Sequence, residues 1–339
     1  MFLKKVVKNL LKRCPPLSRF ISRLRQREPG AWIFRQTFVF WLYQPEYFDQ
    51  FPWPFKLLAW YCKVQEPFGR KIIGGLQVHR FLSALASLLS VKRVLPLKIK
   101  NDTFFIDLQD PHSFYMVSEF LKENSEARVL SALISPGDTW IDVGANLGFF
   151  ALIASKLVRE EGRVVLIEPQ PLLAQLAEKT MAENHFAPYS IYQVACADYK
   201  GETEFYVPRS TSGRGGLYSS FSASGRHRKI RVPVVPLDDL LDWQSLPGQV
   251  FLKIDVEGSE IAVLRGARRL IQQRNPILLL EINPLSLKAA GVNPAELVSL
   301  LSHLGYSRYC EIDDVSRMAS EEIGYLDFSC QRNILLWPS

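Results

Sequence analysis

The stretch "WIDVGANLGFF", residues 140–150, decides how this chain is to be read. A short apolar run reaches Asp142, passes Gly144, Asn146 and Gly148, and becomes apolar again at Leu147, Ala151, Ala154 and Val158, a helical spacing. Strand, glycine turn and helix open a doubly wound α/β unit, whose ligands sit at the carboxyl ends of the parallel strands. The glycines mark a backbone that turns sharply, or is approached closely, where a Cβ would obstruct. An acid ending a buried strand needs a donor or a cation beside it. A plain tight βα turn is the alternative. On the ligand reading, Gly144→Val is expected to stay folded and to lose its ligand.

Working outward, strands and helices alternate: strand 139–143, helix 147–159, strand 163–168, helix 171–183 and strand 190–196. Runs such as "VVLIE" and "ILLLEI" lack alternation, as strands do when helices cover both faces. Strands 202–207 and 229–235 flank a Gly/Ser/Arg segment that lacks the GK[ST] ending of a phosphate loop and reads as a mobile loop. Upstream, residues 95–110 read as two short strands around Asn101-Asp102, followed by one or two helices up to "SPGD".

Acids recur at the strand ends. Glu168 closes the second strand, where such folds bind both hydroxyls of an adenosine ribose. The spacing Gly144-x-x-x-Gly148, with an acid two residues before it, is not the GxGxxG that lays bare backbone along a pyrophosphate. S-adenosylmethionine has no phosphate but carries an ammonium, a carboxylate and a sulfonium, and an acid at the turn suits that pattern. The third strand ends "ACAD", placing Asp198 where an acid meets the adenine amino group. In "FLKIDVEGSE", residues 251–260, Lys253 and Asp255 share one face, with Glu257 just beyond. They form either a buried ion pair or part of a site, because unpaired burial is costly. Glu281 ends the fifth strand at the same rim.

Together with "SPGDTWIDVGANLGFFALIAS", "VVLIEPQP", "VPLDDLL" and "PILLLEIN", these stretches resemble the FkbM family of S-adenosylmethionine-dependent methyltransferases over roughly residues 96–339. The resemblance implies a class I methyltransferase fold, a Rossmann-like α/β sheet of seven strands, doubly wound, with a reversed last strand at "RNILLW". It implies O-methylation of a sugar or another hydroxylated natural product. Carried over, Asp142, Gly144, Asn146 and Glu168 become cofactor residues, with Gly148 in the same turn, and Asp255 and Glu257 become residues of the reaction site. Methyl transfer is an in-line displacement, and a sugar hydroxyl needs a general base. Asp255 is the first candidate and Glu257 the second, with Lys253 keeping its neighbour ionised or stabilising the developing alkoxide. Several acids at one rim can also hold a divalent cation, which the sequence leaves open. No metal ligand is assigned, since the five cysteines and five histidines are scattered without CxxC or HxxxH spacing.

Residues 1–95 lie outside the resemblance and divide off as a basic, aromatic-rich, mainly helical extension. Residues 1–100 carry 19 Lys/Arg against 4 Asp/Glu, whereas the remainder carries 22 against 30. Basic residues followed by Trp32, Trp41, Trp53 and Trp60 predict contact of residues 1–68 with an anionic membrane surface. A helical cap whose aromatics form their own core is the alternative. No secretory signal and no spanning segment are read, so the expected location is the cytoplasm, peripheral to the membrane. Two other functions stay open. An RNA methyltransferase would use the basic N-terminus, but the Asn/Asp-Pro-Pro-aromatic motif of base-amino enzymes is absent and nucleic acid is not the expected partner. A non-catalytic membrane protein retaining the fold would have no need of intact acids at strands one, two, four and five.

Overall fold

A computed structural model describes residues 41, 44–53, 55–56, 83, 92–121, 125–208, 215–218, 227–312 and 320–338. Most of the segment read as membrane-binding, and most of the loop between strands 202–207 and 229–235, lie outside the described residues. In chain order the elements begin with α1 (Pro45–Phe48), β1 (Val94–Ile99), β2 (Asp102–Asp107), α2 (Pro111–Leu121), α3 (Ser125–Leu133), β3 (Thr139–Val143) and α4 (Phe149–Val158). Next come β4 (Arg163–Ile167), α5 (Pro171–Asn184), β5 (Tyr189–Tyr192), β6 (Ala195–Cys196), β7 (Gly201–Pro208), β8 (His227–Val235) and α6 (Leu237–Leu240). The rest are β9 (Val250–Ile254), α7 (Glu260–Gly266), α8 (Arg268–Arg274), β10 (Ile277–Ile282), α9 (Pro284–Ala289), α10 (Pro294–His303), β11 (Tyr306–Glu311), β12 (Glu321–Glu322) and β13 (Arg332–Pro338).

The chain divides into two compact units, residues 1–99 with 106–118, and residues 100–105 with 119–339. In the first, the described aromatics pack on one another. Phe51 and Phe55 stack on Phe114 with ring centroids 5.3 and 5.8 Å away, and Trp41 meets Phe51 edge-on at 5.2 Å. Trp41, Tyr47, Phe51 and Phe55 are buried, while Trp53 is exposed. Among the described residues no helix is long and apolar enough to cross a membrane.

The second unit is built on a sheet ordered β12-β11-β13-β10-β9-β3-β4-β5. β3 pairs in parallel with β4 and with β9, β4 with β5, and β10 with β9. β13 is antiparallel to both β10 and β11. The seven expected strands are all present, and the two-residue β12 adds an eighth at the edge. The predicted strand 190–196 is in fact two. Tyr189–Tyr192 stays beside β4, whereas Ala195 and Cys196 pair with Val234 and Val235 of β8, in a small sheet that β7 completes. The exposed Gln193 is the single polar residue at the break, too little to mark it, so the partner strand is what reveals it. Ala195, Ala197, Phe205, Val207, Val232 and Val234 close a separate small core there.

Alternate residues of the central strands face opposite ways. Ile141, Val143, Leu252 and Ile254 pack in one cluster with Val263, Leu264, Leu270, Ile271, Leu297 and Leu301. The intervening residues, Asp142 and Lys253 among them, point to the side where Phe150 of α4 covers the Lys253 ammonium at 5.0 Å. From β3 the chain winds outward to β4 and β5, then returns to β9 on the opposite flank. The carboxyl ends of β3 and β9 therefore bound the crevice of a topological switch point.

Candidate active site

The turn after β3 is strained on purpose. Gly144, Asn146 and Gly148 all take positive φ, at 85°, 53° and 77°. Gly144 and Ala145 N–H both donate to the Ile167 carbonyl, at 2.9 and 3.0 Å, and Asp255 N–H donates to the Val143 carbonyl at 3.0 Å. A Cβ at Gly144 would land on the Asp255 carbonyl oxygen. The chain leaving β9 thus imposes the glycine by itself, before any ligand is considered, and the expected folded but ligand-free Gly144→Val protein is corrected on that ground.

Glu168 ties this turn to β4. Its Oε2 accepts from Asn146 N–H and its Oε1 from Gln170 N–H, each at 2.9 Å. Burial pushes its carboxyl up to about 7, against the pull of those two donors. The folded state therefore holds the proton through a range where the unfolded chain has released it. Stability is undiminished below the unfolded pKa and falls as pH rises towards 7, by up to ~3 kcal/mol. Glu168→Gln removes that dependence. Urea unfolding from acid to neutral pH should show the stability gap between wild type and variant narrowing by that order, and a gap constant with pH would refute it.

Asp142 and Lys253 are directly opposite each other in the β3–β9 register. Asp142 is 1% exposed and neither of its oxygens has a well-formed hydrogen bond. Its charged neighbour is Lys253 Nζ, 3.4 Å from Oδ1. Burial raises the Asp142 carboxyl, with the Lys253 charge opposing. Lys253 Nζ also donates to Asp255 Oδ2 at 3.1 Å. Burial lowers the lysine's pKa, but Asp142 and Asp255 outweigh it and hold the ammonium above its ordinary range. Of the two sequence readings of Lys253, the buried ion pair is what the structure shows, and the paired acid, Asp255, is 34% exposed.

Glu257 sits at φ 52°, in the left-handed region, with Gly258 following at φ 100°. Its Oε2 accepts from Ser286 Oγ at 2.6 Å and from Asn283 Nδ2 at 3.3 Å. Glu260 accepts from Gly258 N–H at 3.0 Å, and burial pushes its carboxyl up to about 7. Asp198 follows β6 of the small sheet rather than the third strand of the large one, and is exposed. Its charge helps raise the Tyr218 phenol, after burial and Glu260. The structure therefore brings Asp142, Lys253 and Asp255 into contact, places Glu168 and Asn146 in the adjoining turn, and turns Glu257 towards α9. Asn283 and Ser286 against Glu257, Phe150 against Lys253, and Gln331 against Glu281 complete the set, and none was singled out from sequence. Asn283 caps α9 through Ser286 N–H with Pro284 following it, a helix-start pattern of the kind a sequence can carry. Among the described residues no group of three or more His, Cys, Asp or Glu is placed to hold a metal ion.

Six parallel strands and one reversed strand, in this order and with an acid at the switch point, define a class I methyltransferase fold. Residues 142–308 match the family described as Methyltransferase FkbM domain, and the chain carries that domain. A relative, hexuronic acid methyltransferase AglP of Haloferax volcanii, is 25% identical over 223 residues, 64% of this chain and 82% of its own length. A solved methyltransferase FkbM from Methylobacillus flagellatus is 19% identical, with 68% of this chain and 54% of that chain covered and a TM-score of 0.35. A solved SAM-dependent methyltransferase from Aquifex aeolicus is 12% identical, with 66% and 98% covered and a TM-score of 0.36.

Proposed function

We propose that this chain methylates a hydroxyl oxygen of a sugar, glycan or related natural product, with S-adenosylmethionine as methyl donor and Asp255 as general base. The observation that carries the reading is the difference in exposure along the rim. Asp255 is 34% exposed, whereas Asp142 is 1% and Glu281 8% exposed, so an acceptor reaches Asp255, and the half-buried Glu257 beside it, rather than those two.

The cofactor assignment rests on unfilled bonding capacity. Asp142 has two buried oxygens with no well-formed hydrogen bond, only one of them near the Lys253 ammonium at 3.4 Å, which leaves capacity for a further cation such as an ammonium. Glu168, bonded once at each oxygen, keeps lone pairs for ribose hydroxyls. Gly144, Asn146 and Gly148 bring bare or left-handed backbone to the same turn, and Asp198, exposed just after β6, is the remaining acid of the set. When bound, the cofactor supplies an electrophilic methyl group.

Asp255 takes the hydroxyl proton while the oxygen's electron pair forms the new C–O bond. Lys253, occupying Oδ2, leaves Oδ1 for that proton. Glu257, oriented by Ser286 and Asn283, is the second acid at the rim. The Haloferax volcanii relative is a hexuronic acid methyltransferase, which favours a sugar acceptor here.

Equilibrium dialysis with labelled S-adenosylmethionine, followed by mass spectrometry of uronic-acid glycosides incubated with the protein, tests both halves. Binding together with a gain of one methylene mass is the expected result. Binding without transfer discards the sugar acceptor, and absence of binding discards the cofactor.

A further inference from the structure

Glu281 has no task in the mechanism so far. β10 runs parallel to β9 with Leu280 opposite Ile254, which brings Glu281 level with Asp255 where the two strands end. The side chain is 8% exposed. Its Oε1 accepts from Gln331 Nε2 at 2.6 Å, and its Oε2 is buried without a donor. Continued by one residue, the register sets Glu281 beside Asp255 on the same face of the sheet, and the Asp255 charge acts on it.

Two carboxyl groups in contact do not both ionise at a buried position, and the more buried one keeps the proton. Burial first, then the charges of Asp255 and Glu257, hold Glu281 well above the usual carboxylate range. The remaining neighbours do not reverse this. Lys253, whose ammonium Glu281 helps to hold, is bound by Asp142 and Asp255. Asn333, opposite Glu281 on β13, is neutral, and Arg332 is bound by Glu311 and Asp327.

We infer that Glu281 is a positioning residue: protonated, it donates a hydrogen bond to Asp255, and with Lys253 it holds that carboxylate facing the acceptor. The inference rests on the reading of Asp255 as the base. One proton then satisfies the donorless oxygen of Glu281 and gives Asp255 a second donor. When Asp255 takes the proton of the acceptor hydroxyl, Glu281 keeps its own. Once rising pH ionises Glu281, two like charges face each other, and the base is pushed from its place.

The test uses the full chain labelled at the glutamate carboxyl carbons and followed by NMR against pH. One carboxyl resonance should remain protonated through neutral pH, vanish in Glu281→Gln, and titrate at lower pH in Asp255→Asn, where the partner's charge is gone. Glu168 and Glu260 also titrate late and are told apart because they survive in Glu281→Gln. If the resonance lost in Glu281→Gln is already ionised at neutral pH, the inference is overturned. This readout needs neither cofactor nor acceptor, so it stands or falls apart from the methyl-transfer reading.

Where transfer is measured, the glutamine variant keeps an acceptor for Gln331 and a donor for Asp255. It should turn over at least about tenfold faster than Glu281→Leu, the worth of one hydrogen bond to a charged group. It should also lose the alkaline decline of the wild type. Equal losses in the two variants, or an unchanged alkaline limb, would overturn the positioning role.

Discussion

Gly144→Val should yield little or no folded protein. The new Cβ meets a backbone carbonyl, that of Asp255, and not a flexible side chain. The turn cannot step aside, because Gly144 N–H is bound to Ile167 on one flank and Asp255 N–H to Val143 on the other. A β-branched residue at φ 85° adds backbone strain of about 1–3 kcal/mol. The total should exceed ~4 kcal/mol, among the largest effects of single substitutions. That approaches the whole stability of an ordinary domain, about 5–15 kcal/mol. Soluble yield and urea unfolding measure it. Cooperative unfolding within about 1 kcal/mol of wild type would mean that the β3 and β9 ends do not meet as described.

Asp255→Asn should instead leave a folded protein that binds cofactor and scarcely turns over. Asparagine keeps an oxygen for Lys253, and the site is partly exposed, so the structural cost is small. The loss of a general base lowers turnover by about 10²–10⁴. Cofactor affinity should stay within about twofold, roughly 0.4 kcal/mol. Single-turnover rates and dialysis separate the two quantities. Should affinity collapse while turnover of the bound fraction survives, Asp255 belongs to the cofactor pocket and Glu257 takes over as base.

Much of this was legible in the residues. Apolar strands without alternation, each ending on an acid or glycine, announced a parallel sheet covered on both faces, and the acids at 142, 168, 255 and 281 all fall at strand ends. What stayed hidden depends on neighbours distant in the chain. The glycine at 144 looked like room for a ligand because the carbonyl that demands it belongs to residue 255. Asp198 looked like the end of a third strand because nothing local shows that Ala195 and Cys196 leave β5 for β8. Glu257 carried no mark of a left-handed backbone, and the groups its carboxylate meets, Ser286 and Asn283, lie in another segment. Residue type and period identify which groups are chemically active. Register decides what each of them faces.

The position of β3 between β4 and β9 also bears on how the chain is made. Synthesis delivers β4 soon after β3, but β9 more than a hundred residues later. During that interval one side of β3 exposes unpaired amides and carbonyls beside side chains that are buried in the finished protein. A bare strand edge of this kind invites pairing with other chains, and a long delay before a distant partner arrives prolongs the hazard. Nascent chains stalled before Val250 are therefore the species most in need of a chaperone. The crevice itself comes into being only when the last strand to reach the centre has left the ribosome.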